Sequence, residues 1–128
     1  MSEGGCFCGS VRYRVSGQPV LSLICFCRDC LAISGSGGYA GMMVNDDDFT
    51  HISGKTTVHI KVSKSGRSVQ RHFCPNCGSN LWGQTELGLI SVAAGSLDEP
   101  NDFRPTKAVF VADAPTWARI PEGLEHDD

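Results

Sequence analysis

The 128-residue chain predicts an all-β domain, and three observations carry that prediction. Short stretches alternate apolar and polar residues with period two, and almost no stretch carries helical periodicity. Fifteen glycines and six prolines supply many turns. All seven cysteines fall into three clusters, Cys6-Phe7-Cys8, Cys25-Phe26-Cys27-Arg28-Asp29-Cys30 and Cys74-Pro75-Asn76-Cys77, which only folding can bring together.

Taken in order, Val11, Tyr13 and Val15 alternate with Arg12, Arg14 and Ser16, the pattern of a half-buried strand. Gly17-Gln18-Pro19 turns the chain, and Val20 to Ile24 reads as a strand that ends in the central cysteine cluster. Leu31 to Ser34 adds one helical turn before the breaker Gly35-Ser36-Gly37-Gly38. Tyr39 to Val44 is a strand, Asn45 to Asp48 a turn whose short polar side chains bond their own backbone, and Phe49 to Ser53 another strand. Thr56 to Val62 places Val58, Ile60 and Val62 on one face and Thr57, His59 and Lys61 on the other. Ser63 to Gly66 then makes a hairpin connection to a strand over Arg67 to Phe73. Ser79 to Gly83 and Leu89 to Ala94 are strands, Leu97 to Pro100 a turn with some helical character, and Lys107 to Ala112 a strand. Because Ala108 to Ala112 is apolar on both faces, that strand is expected at the centre of a sheet, and the last residues of the tail are expected to fray.

The bulk properties bound the class. A chain of this length can bury roughly two thirds of its unfolded surface, enough for one domain spanning residues 1–128. A hydrophobic fraction of 41% and a charged fraction of 20% are those of an ordered globular protein. A net charge of −3 provides no basic footprint, so nucleic acid is not an expected partner. No stretch approaches the length of a membrane span, and the start lacks a basic segment followed by an apolar run, so neither a membrane nor a secretory leader is expected. The expected compartment is the cytoplasm, where clustered cysteines are metal ligands or redox centres more often than disulfides, and an odd count fits full pairing poorly.

The economical division of the seven is four plus three. Cys6, Cys8, Cys74 and Cys77 would close a structural zinc site, with Gly78 completing a zinc-knuckle turn. Cys25, Cys27 and Cys30 would hold a second, catalytic zinc with one position open. Zinc is favoured over an iron–sulfur cluster because the trio is one cysteine short. A redox reading of either Cys-x-x-Cys lacks the βαβ context. A structural alternative closes the second site with His51, His59, His72 or Asp29. Phe26 reads as a packing or screening residue, Arg28 as a surface cation able to steer a carboxylate, and Trp82 and Trp117 as core or rim. No residue beyond the metal ligands is assigned a catalytic role.

With these residues in hand, the chain resembles the glutathione-dependent formaldehyde-activating enzyme family, which also includes centromere protein V-like proteins. The resemblance rests on Cys6-Phe7-Cys8-Gly9-Ser10-Val11-Arg12-Tyr13, Cys25 to Cys30, Phe73-Cys74-Pro75-Asn76-Cys77-Gly78-Ser79, Ala94-Gly95-Ser96-Leu97-Asp98 and Ala114-Pro115-Thr116-Trp117. It implies a β-tent of the Mss4-like kind built of short antiparallel sheets, the same four-plus-three division with two Zn2+ per chain, and carbon–sulfur lyase chemistry. The family commonly has His where this chain has Phe26, a change expected to remove a polar group from beside the metal. The expected partners are a thiol such as glutathione and an aldehyde or thiol adduct. A homodimer would cover the edge strands. The alternative is a non-catalytic zinc-stabilised β domain that binds a protein or small ligand.

Overall fold

The computed structural model describes residues 1–62 and 66–128. Strands β1 (Ser2–Gly5), β2 (Arg12–Val15) and β5 (Phe49–Ser53) form a small antiparallel sheet in the order β1-β2-β5. Strands β3 (Leu21–Cys25), β4 (Tyr39–Asn45), β6 (Thr57–Val62), β7 (Ser68–Phe73), β8 (Asn80–Thr85), β9 (Leu89–Ala93), β10 (Lys107–Val109) and β11 (Glu125–His126) form the large sheet. Its order is β11-β10-β3-β4-β9-β8-β7-β6. Pairing is antiparallel except at β10, which runs parallel to both neighbours. One helix, α1 (Arg28–Ser34), follows β3.

The period-two pattern sets which face each strand buries. Register pairs Met42 with Val92 and Val44 with Ile90, so these side chains share one face of the large sheet. Against it the small sheet lays Val11, Tyr13 and Val15, and Leu81, Trp82 and Leu97 complete this core. Arg12 and Arg14, pointing the other way, pair with Asp98 and Glu3. Trp82 is the aromatic centre. Phe49 lies 4.7 Å away, Tyr13 5.9 Å, and His72 stacks on it at 4.8 Å. Tyr39, Gly41, Met43, Ser91 and Ala93 alternate onto the opposite face, where Cys25, Cys30 and Tyr39 make a second buried cluster under α1.

Several expectations are corrected. The helix is longer than one turn, because the Cys27 thiol caps it by accepting from the Cys30 N–H at 3.4 Å and Gly35 ends it in the left-handed region (φ 65). The strand from Lys107 stops at Val109, since Phe110 adopts φ 54, and it lies near the edge rather than centrally. Its neighbour is the tail itself, which pairs instead of fraying: Asp127 N–H donates to Ala108 O at 2.8 Å, and Lys107 Nζ meets Asp127 at 2.7 Å. Strand β1 has no β-branched residue to announce it. It exists because Gly4 lets the backbone pass under Tyr13, where a Cβ would come within 2.3 Å of the phenol oxygen. The apolar row of β6 does not face a core; Val58, Ile60 and Val62 are 42%, 59% and 62% exposed on an edge strand. The hairpin expected over Ser63 to Gly66 lies, at residues 63–65, outside the described residues.

Tyr13 joins the two sheets through its ring and through a 2.7 Å bond to Ser96 Oγ, while Ser96 also donates to Ala93 O. Tyr13→Phe is expected to cost about 1 kcal/mol, one net hydrogen bond. Tyr13→Ala is expected to cost about 3–5 kcal/mol, a large aromatic cavity. Urea unfolding at matched metal content measures both, and equal effects for the two variants would contradict the packing role.

Candidate metal centres

The first centre is assembled by two tight turns. Between β1 and β2, Cys6 N–H donates to Val11 O at 3.1 Å and Gly9 N–H to Cys6 O at 3.0 Å, with Gly9 at φ 83. Cys6 and Cys8 thus approach each other on a turn and not, as period-two geometry alone would have it, along an extended strand. Between β7 and β8, Gly78 N–H donates to Cys74 O at 2.8 Å with Gly78 at φ 79, the knuckle expected from Cys-x-x-Cys-Gly. The Sγ atoms of Cys6, Cys8, Cys74 and Cys77 all lie within 4.8 Å of one another. The Cys6–Cys8 and Cys8–Cys74 separations are 3.5 and 3.7 Å. Four thiolates around one tetrahedral ion with bonds near 2.3 Å need sulfurs about 3.7 Å apart, so the donor set fits such an ion.

Polar neighbours favour the thiolate form at Cys8 and Cys77. Ser10 Oγ lies 3.2 Å from Cys8 Sγ and 3.5 Å from Cys74 Sγ, and Ser79 Oγ lies 3.1 Å from Cys77 Sγ. Ser79 Oγ also accepts the Phe7 N–H at 2.9 Å, tying one cysteine turn to the other. The Ser10 hydroxyl, then the Asn76 side chain, draw Cys8 down to about 5, and Ser79 draws Cys77 down to about 7. Ser10 and Ser79 were legible only as neighbours within the motifs; nothing in their spacing marks them as thiolate partners.

The second centre sits where β3 becomes α1. Cys25 ends the strand, Cys27 caps the helix, and Cys30 returns over Cys27 one turn later. Their three Sγ atoms lie within 4.8 Å of one another, and among the described residues no histidine, aspartate or glutamate joins them at that range. The hydrogen bond with Cys30 draws Cys25 down to about 6 and pushes Cys30 up, while burial pushes Cys27 up. Left alone, the trio therefore favours a single thiolate, and a cation is what would hold all three deprotonated.

The structure accounts for the other candidates. His51 and His72 pack on Trp82, and His59 is exposed on β6, opposite Arg71. Asp29 is engaged by Lys61 Nζ at 2.7 Å, a bond from the edge strand to the helix. Ile24 and Phe26 both project toward Gly38, and Phe26 is not part of the buried cluster that Cys25, Cys30 and Tyr39 form. Arg28 is exposed. Reasoning from sequence missed Tyr39, which is 5% exposed beside the trio and donates to Ser91 O at 3.2 Å. It also missed Arg71 of β7, whose charge reaches Cys25. A cavity of about 500 Å³ is lined by Cys6, Phe7 and Ser79 of the first centre and by Ser34, Tyr39 and Ala93, which neighbour the trio; none of Cys25, Cys27 or Cys30 lines it.

Comparison with known proteins bears on both centres. The sequence model described as "Glutathione-dependent formaldehyde-activating enzyme" matches residues 1–113. A Halomonas elongata protein named "Putative glutathione-dependent formaldehyde-activating enzyme" is 31% identical over 132 residues, covering 98% of this chain and 83% of that protein. A crystal structure of a Rhodobacter sphaeroides protein has a similar fold, with a TM-score of 0.62 at 19% identity, covering 78% of this chain and 93% of the other.

The serine shell yields a direct test. Ser10→Ala and Ser79→Ala are each expected to weaken metal retention at the four-cysteine cluster by about 10- to 100-fold, the usual range for groups that hydrogen-bond a ligand. Chelator competition measures it, and retention at the Cys25 trio should not change.

Proposed function

Because the chain belongs to the glutathione-dependent formaldehyde-activating enzyme family, we propose that it is a zinc-dependent carbon–sulfur lyase acting on thiol–aldehyde adducts. The observation that carries this reading is the buried trio Cys25, Cys27 and Cys30, which supplies three ligand atoms and, among the described residues, no fourth. Cys6, Cys8, Cys74 and Cys77 would hold a structural zinc. The trio would hold a second ion, beside which an exogenous thiol such as glutathione would bind. Zinc bound there supplies Lewis acidity, lowering the pKa of that thiol.

The residues of the chain set the stage for the reaction. In the cleavage direction the bond between sulfur and the hydroxyl-bearing carbon breaks, its electron pair goes to sulfur, the hydroxyl oxygen becomes the aldehyde carbonyl, and its proton is released. Addition of a thiolate to an aldehyde is the reverse. Cys25 and Cys30 are 6% and 8% exposed and Cys27 is half-buried, so the trio is largely shielded from water, a setting in which charge interactions strengthen. Tyr39, packed against them with its hydroxyl committed to Ser91, adds to that shielding, and burial pushes its own hydroxyl up to about 12, so it stays neutral. The cavity on the other side of Tyr39 and Ala93 has room for the body of a small thiol. A cytoplasmic location accords with seven free cysteines.

Wild-type protein is expected to carry two zinc ions per chain by elemental analysis. Cys27→Ser is expected to keep the fold and the first ion, lose the second, and lower turnover of hydroxymethyl-thiol adducts by about 100-fold or more, because Lewis-acid stabilisation is worth several kcal/mol. Unchanged turnover in a folded, one-zinc variant would remove the trio from the reaction, and no turnover by the two-zinc wild-type protein would leave the domain as a non-catalytic binding module.

A further inference from the structure

Arg71, half-buried on the face of the large sheet that carries Tyr39 and the trio, has no carboxylate partner among the described residues. Arg71 lies opposite Gly83, and Gly83 opposite Ser91, in one row across β7, β8 and β9. Strands lie about 4.8 Å apart, so this row sets the Arg71 backbone about 10 Å from Ser91, within reach of an arginine side chain. Gly83 leaves the path clear, and Arg71 Nη1 is 3.7 Å from where a Cβ on Gly83 would stand. The guanidinium therefore runs across the sheet on the same face as Tyr39, and its charge reaches both Tyr39 and Cys25.

The ion pairs and hydrogen bonds of the described residues engage Arg12, Arg14, Lys61 and Lys107 but not Arg71. Asp29 at the start of α1 is bonded to Lys61. A partly desolvated guanidinium is ordinarily paired, and its planar fork matches a carboxylate in bidentate fashion. Resting on the reading of the trio as a thiol site, we propose that Arg71 binds a carboxylate of the incoming thiol, selecting carboxylate-bearing thiols over neutral ones. Arg71 is thus a specificity residue; it places the sulfur end of the ligand toward Cys25, Cys27 and Cys30 without taking part in bond breaking.

Calorimetric titration of the zinc-loaded full chain with three probes separates this idea from the reading it rests on. Glutathione has carboxylates and a thiol, S-methylglutathione has carboxylates and no thiol, and 2-mercaptoethanol is a neutral thiol. Arg71→Gln is expected to weaken glutathione and S-methylglutathione by about 10- to 100-fold, the range for a charge-assisted bond, and to leave 2-mercaptoethanol within about twofold. Arg71→Lys should recover only part of the loss, because an ammonium lacks the fork, and it provides the test if the glutamine variant does not fold. Unchanged binding of both glutathione probes overturns the proposal, as does an equal loss for 2-mercaptoethanol, which would make Arg71 a general charge at the trio. If wild-type protein instead binds S-methylglutathione as tightly as glutathione and does not bind 2-mercaptoethanol, the thiol site is wrong. Dependence of S-methylglutathione on Arg71 would then still decide the carboxylate assignment.

Discussion

The meeting of two turns, Cys6 to Ser10 from the small sheet and Cys74 to Ser79 from the large one, is the constraint on which the rest of the molecule depends. Four sulfurs within 4.8 Å cannot be held by either turn alone. The Phe7 N–H to Ser79 Oγ bond spans the joint directly, and the thiols add a demand for a cation that neither turn could satisfy unaided. Clamping this end fixes how β2 lies over β8, and hence how Tyr13 meets Trp82. The aromatic cluster then completes what the turns begin, because burial on the scale of Tyr13, Phe49 and Trp82 is worth several kcal/mol of apolar transfer.

The large sheet is used on both faces, and that division separates stability from chemistry. One face carries the aromatic core under the small sheet; the other carries Cys25, Tyr39, Gly83 and Arg71 under α1. Alternation along each strand makes this possible, since Met42 and Val44 can anchor the core while Tyr39 and Gly41, on the same strand, shape the site. Glycine at 41 and 83 clears the surface for the Tyr39 ring and the Arg71 fork. The Asp29–Lys61 bond, from the helix start to the far edge strand, holds α1 across this face.

Much of this was legible beforehand. The strand over Phe49 to Ser53 occurs with the bounds its pattern indicates, and β2, β4, β7 and β9 lie within a residue or so of theirs, because a half-buried strand must alternate. That each cysteine cluster closes on itself was legible for a similar reason, as short cysteine separations close through local turns. Strand β1 was not, because it is specified by the ring it passes under; nor was β11, because a two-residue strand has no periodicity and exists only beside Lys107 and Ala108. The central placement of the strand at Lys107 failed for a related reason. Apolar residues on both faces describe what surrounds a strand above and below, and say nothing about how many neighbours lie beside it.

By itself, then, the sequence determined the all-β character, the three cysteine clusters and the family, since all three reside in local patterns of residue type and spacing. Only the tertiary structure decided that the thiols group as four and three, that His51 and His72 belong to Trp82 and not to the trio, that Phe26 packs toward Gly38, and that Arg71 turns in. The physical reason is distance along the chain. Arg71 and Cys25 lie on different strands, β7 and β3, far apart in the chain, and their encounter depends on strand order and register. Those are set by the summed packing of many residues, none of which lies in a motif.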